Sequence, residues 1–267
     1  MNKWTYRILM GLVFTIPLES MIAFPEIGTF SRMIGVLVAV SAFVCILLGK
    51  KAIKLNSVQS YALLYLLWSI VTFYWSVDIE KSYKSILTLS RLVVFLFVIC
   101  QFAQKENEQI GLMKAYVYGS LFSSFSIIYS FINKQEYDFF RYSAYGFDPN
   151  DLGLTLALAI PMAWYVSFID TSKIMSWVYR LIVPLLVFGI TLTASRGAFV
   201  ALLVALSFIL WSLYRLPVKF KLLFMAFVLT TTLLIIKFAP VYSWERILSI
   251  GSELHTGSLS GRFTIWR

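Results

Sequence analysis

The sequence predicts an all-α membrane protein, a polytopic bundle of about nine transmembrane helices with a cytoplasmic N-terminus. Hydrophobic residues make up 60% of the 267 residues. Charged residues make up only 13%, against roughly 25% in an ordinary soluble domain. The mean hydropathy is +0.80. These values exclude a water-soluble globular domain.

Apolar runs place the helices, because a helix needs about 20 residues to cross a bilayer. The predicted spans are Ile8–Phe24, Met33–Leu48, Val58–Trp75, Ser85–Phe102, Leu112–Ile132, Leu152–Ile169, Leu181–Ala194, Gly197–Tyr214 and Leu222–Ala239. We therefore predict a transmembrane helical domain over residues 1–239 and the start of an outward-facing loop over residues 240–267.

The distribution of lysine and arginine predicts the orientation, because cytoplasmic loops of membrane proteins carry an excess of these residues. With the N-terminus inside, eleven lie in inner segments: Lys3, Arg7, Lys50, Lys51, Lys54, Lys105, Lys173, Arg180, Arg215, Lys219 and Lys221. Six lie in the outer loops before the last span: Arg32, Lys81, Lys84, Lys134, Arg141 and Arg196. The net charge of +10 is thus spread between apolar runs and accompanies no base-stacking motif, which argues against nucleic-acid binding.

Three segments predicted to face outward are more than simple connectors. The first ends in Gly146–Gly153, where Pro149 blocks continuation of a preceding helix and Asn150 or Asp151 is a good N-cap for the next span. A capped helix entrance explains these residues, and a contact with substrate is the alternative.

The second segment, Thr191–Ala198, places one arginine, Arg196, between two apolar runs. An arginine facing lipid at mid-bilayer costs at least about 2.5–3.5 kcal/mol, so Arg196 must snorkel outward or face a wet cavity. Ser195 or Gly197 could expose backbone N–H groups at the start of the next helix. A guanidinium beside a helix N-terminus can bind phosphate.

The third segment, Ser258–Arg267, contains Arg262 in a Ser/Gly turn beside Trp266, and alone it is typical of an interfacial loop. Two charges are embedded in predicted spans, Glu19 in the first and Arg91 in the fourth. Each is a candidate functional residue, and a mutual buried pair is the structural alternative. Neither a metal-ligand cluster nor a Gly-rich phosphate loop occurs in the sequence, so we predict no cofactor and no metal.

Taken together, Phe147–Gly153, Thr193–Ala198 and Ser260–Arg262 with Trp266 resemble the O-antigen ligase and O-antigen polymerase superfamily. The resemblance implies a GT-C-like, multi-pass glycosyltransferase whose active face looks outward from the bacterial inner membrane. Its substrates would be an undecaprenyl-diphosphate-linked glycan donor and a lipid or glycan acceptor, and it would need neither metal nor nucleotide. The sequence does not decide between ligase and polymerase.

The resemblance implies that Arg196 and Arg262 are catalytic residues that hold the diphosphate. We assign substrate binding to Asn150, Asp151, Ser195 and the embedded Arg91. Members of the superfamily continue into a large outer loop with a histidine, whereas His255 precedes Gly261 and does not match it. We therefore expect these residues to be the N-terminal part of a longer enzyme that does not transfer glycan alone.

A transporter or flippase for lipid-linked oligosaccharide is the main alternative function. Such a protein would have two related halves and polar residues on both sides of the membrane. Here the distinctive residues collect on one predicted side and no half-repeat occurs. A structural subunit without chemistry is the third possibility, and it leaves Arg196 unexplained.

Overall fold

A computed structural model describes residues 3–24, 28–48, 55–138, 141–213 and 240–256, with residues 221, 228–230, 232–233 and 236–238. These residues are mostly helical. The α-helices are α1 Lys3–Thr15, α2 Phe30–Leu47, α3 Ser57–Thr72, α4 Ile79–Phe102, α5 Glu106–Ile132, α6 Pro149–Ile169, α7 Lys173–Thr193, α8 Arg196–Leu213 and α9 Val241–Thr256. Two 3₁₀ helices, Ile16–Leu18 and Phe73–Trp75, and a pair of two-residue strands, Ala23–Phe24 and Gly28–Thr29, complete the described elements.

Five of these helices, α2, α4, α5, α6 and α7, are long and apolar enough to cross a bilayer. Helix α8 contains a shorter apolar stretch, Arg196–Ser212. The prediction of an all-α, multi-pass membrane protein in a lipid bilayer is thereby confirmed. The count of nine spans and the GT-C-like arrangement stay predictions, and the ninth predicted span, Leu222–Ala239, lies mostly outside the described residues.

The predicted first span, Ile8–Phe24, is not one continuous helix. Helix α1 ends at Thr15 after 13 residues, and the 3₁₀ helix that follows contains Pro17. Proline has no backbone N–H and its ring clashes with the carbonyl four residues earlier, so an α-helix cannot continue regularly through it. The residues on both sides of Pro17 are apolar, so hydropathy predicts one span and does not reveal the break in the helix.

The chain divides into two compact units, and the first comprises Met1–Val13 and Pro25–Leu112. Within it, α3 and α2 both pack against α4. A capping box starts α3, because Asn56 Oδ1 accepts from the Gln59 backbone N–H at 2.8 Å and Gln59 Oε1 accepts from the Asn56 N–H at 3.0 Å. Asp78 caps α4 by a single side-chain contact, because its Oδ1 accepts from the Lys81 N–H at 3.0 Å.

Helices α2 and α3 of this unit carry large apolar side chains that are exposed. Val36 and Leu37 on α2 and Leu64 and Trp68 on α3 are each about 60% exposed. A water-soluble protein rarely exposes a contiguous apolar surface of this kind. Hydrocarbon is the environment in which such faces are stable.

The second unit comprises Phe14–Phe24 and Met113–Arg267, and α6 lies at its centre. Helix α6 packs along both α7 and α8 and buries Leu152, Leu156 and Ile160 completely. Its Gly153 lies where α6 meets α8 so closely that a Cβ added there would overlap the Cβ of Ala198. This close approach brings the N-terminal ends of α6 and α8 together, and these ends carry Asn150 and Arg196.

Candidate functional site

Asp148 begins α6, with Pro149 as the first helical residue. The Asp148 Oδ1 accepts a hydrogen bond from the Asn150 backbone N–H at 2.8 Å. The prediction that Asn150 or Asp151 is the N-cap is therefore wrong by two or three residues. Proline suits the first helical position because its missing N–H would have no partner there. The earlier start frees the Asn150 side chain from capping its own helix.

The junction between α7 and α8 is a sharp turn of two residues, Ala194 and Ser195. Ala194 ends α7 in the left-handed region, at φ 48° and ψ 30°, and is fully buried. Ser195 then starts α8, because its Oγ accepts from the Ala198 backbone N–H at 3.3 Å. Arg196 is consequently the first residue of α8, at the helix N-terminus where the sequence analysis placed it.

Arg141 lies in the loop between α5 and α6 and turns into the protein, with a relative exposure of 7%. Its Nε donates to the backbone carbonyl of Thr193 at 3.1 Å. Its Nη2 donates to Asn150 Oδ1 at 2.9 Å. Among the described residues this guanidinium forms no ion pair. A buried cation is thus held by two uncharged acceptors.

Burial and then the nearby charge of Arg246 lower the pKa of Arg141, while Asp148, Asp138 and Tyr137 act in the opposite direction. Arginine starts from so high a pKa that it stays protonated in a protein. Arg141 therefore remains a cation, and its environment makes an additional negative charge favourable.

Asn150 joins the loop to the α7–α8 junction. Its Oδ1 accepts from Arg141 and also from Ser195 Oγ, again at 2.9 Å. A single carbonyl oxygen therefore connects three segments: the loop before α6, the first turn of α6 and the α7–α8 junction. Two of them contain motifs that the sequence analysis singled out.

Arg196 is half-buried and contacts α9. Its Nε donates to the backbone carbonyl of Arg246 at 3.0 Å, and its Nη2 donates to Ser249 Oγ at 2.9 Å. Helix α9 lies in the segment predicted to begin an outer loop, so this helix was not foreseen. Its signal was present, since Pro240 precedes apolar residues at helical spacing, Val241, Trp244 and Leu248.

The structure brings together three predicted site residues, Asn150, Ser195 and Arg196. Asp151 follows directly on α6 with an exposed side chain, and no described contact ties it to the network. Arg91 lies on α4 in the first unit, also exposed, and Glu19 belongs to the second unit. Arg262 lies outside the described residues, so its catalytic role stays a prediction.

Sequence reasoning missed Arg141, which it treated only as one of six outer cations. The sole hint was an arginine among aromatic residues, with Phe140 and Tyr142 on either side. Three cations lie near one another at one end of the second unit. Arg141 is in the network, Arg196 follows its member Ser195 in the chain, and Arg246 contacts Arg196 through its backbone carbonyl and acts on Arg141 by its charge. Such an arrangement can hold an anion with several oxygens, phosphate or diphosphate above all.

No protein-family model, curated protein or solved structure matches this chain.

Proposed function

We propose that this protein is a metal-independent membrane glycosyltransferase of the O-antigen ligase or polymerase type. The reaction would move a glycan from an undecaprenyl-diphosphate-linked donor to a lipid or glycan acceptor. The supporting observation is that Asn150 and Ser195, from two motifs of the superfamily pattern, meet in one hydrogen-bond network with the buried cation Arg141, directly beside Arg196 in the chain. Two segments that matched the superfamily pattern only by chance would not be expected to form hydrogen bonds with each other.

The chemistry explains why arginines would gather at one end. In the transfer, an acceptor hydroxyl attacks the anomeric carbon of the donor and loses its proton. The bond from that carbon to the diphosphate oxygen breaks, and the leaving diphosphate gains negative charge. Guanidinium groups already fixed beside that oxygen stabilise the transition state without having to reorganise. Arg196 is fixed in this sense by its hydrogen bonds to α9.

The orientation is part of the same proposal. The eleven-to-six bias of lysine and arginine places the N-terminus inside, and the end of the second unit that carries Arg141, Asn150 and Arg196 then faces outward. In a bacterial inner membrane that is the face on which lipid-linked glycans are elongated and transferred, as the resemblance implies.

The test is glycan transfer by Arg196 variants of the protein encoded by the complete reading frame, in membranes with a lipid-linked donor. Arg196→Ala should lower the rate by about 10²–10³, the usual loss for one preorganised donor. Arg196→Lys should retain partial activity, because it keeps the charge but loses the planar two-pronged geometry.

Arg180→Ala is the matched control. Arg180 also lies in the second unit, on α7, with its guanidinium over the rings of Trp177 and Phe168 at 5.0 and 5.3 Å. Its loss should leave transfer unchanged. A normal rate in Arg196→Ala at equal expression would make Arg196 a snorkelling anchor and remove the basis of the proposal.

A further inference from the structure

The direction of the Asn150 side-chain amide is fixed by the chemistry of its neighbours. Arginine can donate hydrogen bonds but cannot accept them. The amide atom 2.9 Å from Arg141 Nη2 must therefore be the oxygen, Oδ1. The amide nitrogen, Nδ2, then points away from Arg141.

Ser195 fixes the same direction from a second side. Its Oγ accepts from the Ala198 N–H, which leaves the hydroxyl proton to be donated to Asn150 Oδ1 at 2.9 Å. Two donors on one oxygen leave the amide no favourable alternative orientation. Exchanging Oδ1 and Nδ2 would place N–H groups against the N–H of Arg141.

The Nδ2 group has no hydrogen-bond partner among the residues that the structure describes, and Asn150 is exposed. Asn150 thus presents two N–H donors and no free acceptor outward. The guanidinium of Arg141 lies on the Oδ1 side of the amide. Ser195 donates to the same oxygen and immediately precedes Arg196 in the chain. A bound group facing Asn150 would have to be a hydrogen-bond acceptor.

We propose that Asn150 is a donor-only contact for a phosphate oxygen of the substrate, and that Arg141 is the positioning residue that holds its amide in this orientation. The proposal rests on the proposed function for the identity of the substrate, a lipid-linked diphosphate. Neutral N–H donors beside cations are a common way to bind phosphate, because they add directional contacts to the attraction between charges.

Asn150→Asp and Asn150→Ala together separate a binding role from a structural one. Aspartate has nearly the same shape, and its carboxylate accepts from Arg141 and Ser195 at least as well as the amide does. It also gives Arg141 a charged partner, so the variant should be as stable as wild type or more so. It loses both N–H donors, however, and so should bind phosphate groups less well.

Asn150→Ala loses the donors without adding a negative charge, and it also removes the acceptor of Arg141. Its stability should therefore fall. If Asn150 were only structural, Asn150→Asp would still weaken anion binding by neutralising Arg141. Folded Asn150→Ala, which keeps the charge of Arg141, would then bind diphosphate as well as wild type. If Asn150 contacts phosphate, both variants lose affinity.

The experiment measures the thermal midpoint and the affinity for inorganic diphosphate with the complete protein in lipid nanodiscs. Both Asn150 variants should raise the Kd by about tenfold or more, the usual effect of one hydrogen bond to a charged group. The midpoint should rise or stay level in Asn150→Asp and fall in Asn150→Ala. Asn133→Asp, an equal charge change at an exposed asparagine that follows α5, should leave the Kd near the wild-type value.

Wild-type affinity in either Asn150 variant, a lower midpoint in Asn150→Asp, or no diphosphate binding by wild type would each overturn the proposal. A transfer assay on the same samples separates it from the proposed function. Transfer by wild type and Asn150→Asp at equal KM keeps the function and refutes the donor role. Weaker diphosphate binding by both variants, with no transfer by wild type, keeps the donor role and refutes the function.

Discussion

The second unit holds a buried or partly buried cation near each of its two ends, and the two are treated differently. Near one end, Lys114 on α5 pairs with Asp170, which follows α6, at 2.6 Å from Nζ to Oδ2. Lys114 also lies 5.9 Å from the centre of the Tyr179 ring. Near the other end, Arg141 is more deeply buried, and its acceptors among the described residues are uncharged, the Thr193 carbonyl and Asn150 Oδ1.

The difference separates a structural charge from one available for binding. A carboxylate neutralises Lys114, so this pair joins α5 to the α6–α7 connection and attracts no further anion strongly. The two acceptors of Arg141 form hydrogen bonds with its guanidinium but do not neutralise its positive charge. Burying such a charge costs free energy unless a counter-ion binds. Proteins commonly give up stability in this way at functional sites.

Replacing Arg141 and Lys114 by alanine, one at a time, tests the difference between the two ends most directly. Arg141→Ala should lower the free energy of unfolding by about 2–4 kcal/mol. It removes two hydrogen bonds from a charged donor, each contributing about 1.5–3 kcal/mol, and removal of the costly buried charge offsets part of that loss. It should also raise the KM of glycan transfer, because Asn150 loses its orientation. Lys114→Ala should cost less stability, because its ion pair is partly exposed, and should leave KM unchanged.

Denaturant unfolding in detergent and steady-state transfer kinetics would measure both effects. Equal changes in KM for the two variants would show that distant destabilisation reaches the site, and the distinction between the two ends would fail.

Gly153 tests the helix contact that holds the arginine-bearing end together. A Cβ at Gly153 would overlap the Cβ of Ala198 and lie 3.1 Å from Thr193 Oγ1. Gly153→Ala should therefore destabilise the protein by about 1–3 kcal/mol, as overpacking usually does. It should reduce transfer as well, because α6 and α8 carry Asn150 and Arg196.

Gly197→Ala is the matched control for this substitution. Nothing lies within 4 Å of a Cβ at Gly197, and alanine favours a helix over glycine by about 0.8–1.0 kcal/mol. This variant should be slightly more stable than wild type in thermal unfolding. Destabilisation by both alanines would point to a general intolerance of the region rather than to the α6–α8 contact.

Hydropathy predicted the helices well where an apolar run and a helix coincide. The predicted span Met33–Leu48 corresponds to α2, and Leu152–Ile169 lies within α6. Helices α4 and α5 begin six residues before their predicted spans. Helix α4, capped by Asp78, passes first through polar residues that hydropathy does not count, and α5 begins with the polar residues Glu106, Asn107 and Glu108. Apolar length reports the part that fits hydrocarbon, whereas caps and prolines set the ends.

The candidate site was predictable only where local chemistry was unusual. Arg196 was noticed because a charge between two apolar runs is costly, and Asn150 because a polar residue between a proline and an apolar run is typical of a helix N-cap. Arg141 resembles any loop arginine in sequence, and its importance lies in contacts with residues 9 and 52 positions away. One sequence does not specify contacts of that range.

The smallest expected effect is a difference between the two ends in how the stability of the protein depends on pH. The hydrogen bond from Lys114 and then that from the Ser172 N–H hold the pKa of Asp170 below its ordinary value of 3.8. A carboxyl group whose pKa is lower in the folded than in the unfolded state stabilises the fold above its unfolded pKa. That contribution is lost as the pH falls through the folded pKa.

Thermal midpoints measured from pH 6 down to about pH 3 should therefore decline in wild type partly through Asp170. Lys114→Met removes the larger cause of the lowered pKa, so its decline over the same range should be shallower. The acceptors of Arg141 do not titrate, and Asn150→Ala should leave the slope of wild type unchanged while shifting the whole curve downward. A slope altered by Asn150→Ala as much as by Lys114→Met would mean that carboxylates near Arg141 also carry the acid response, and that its charge is balanced after all.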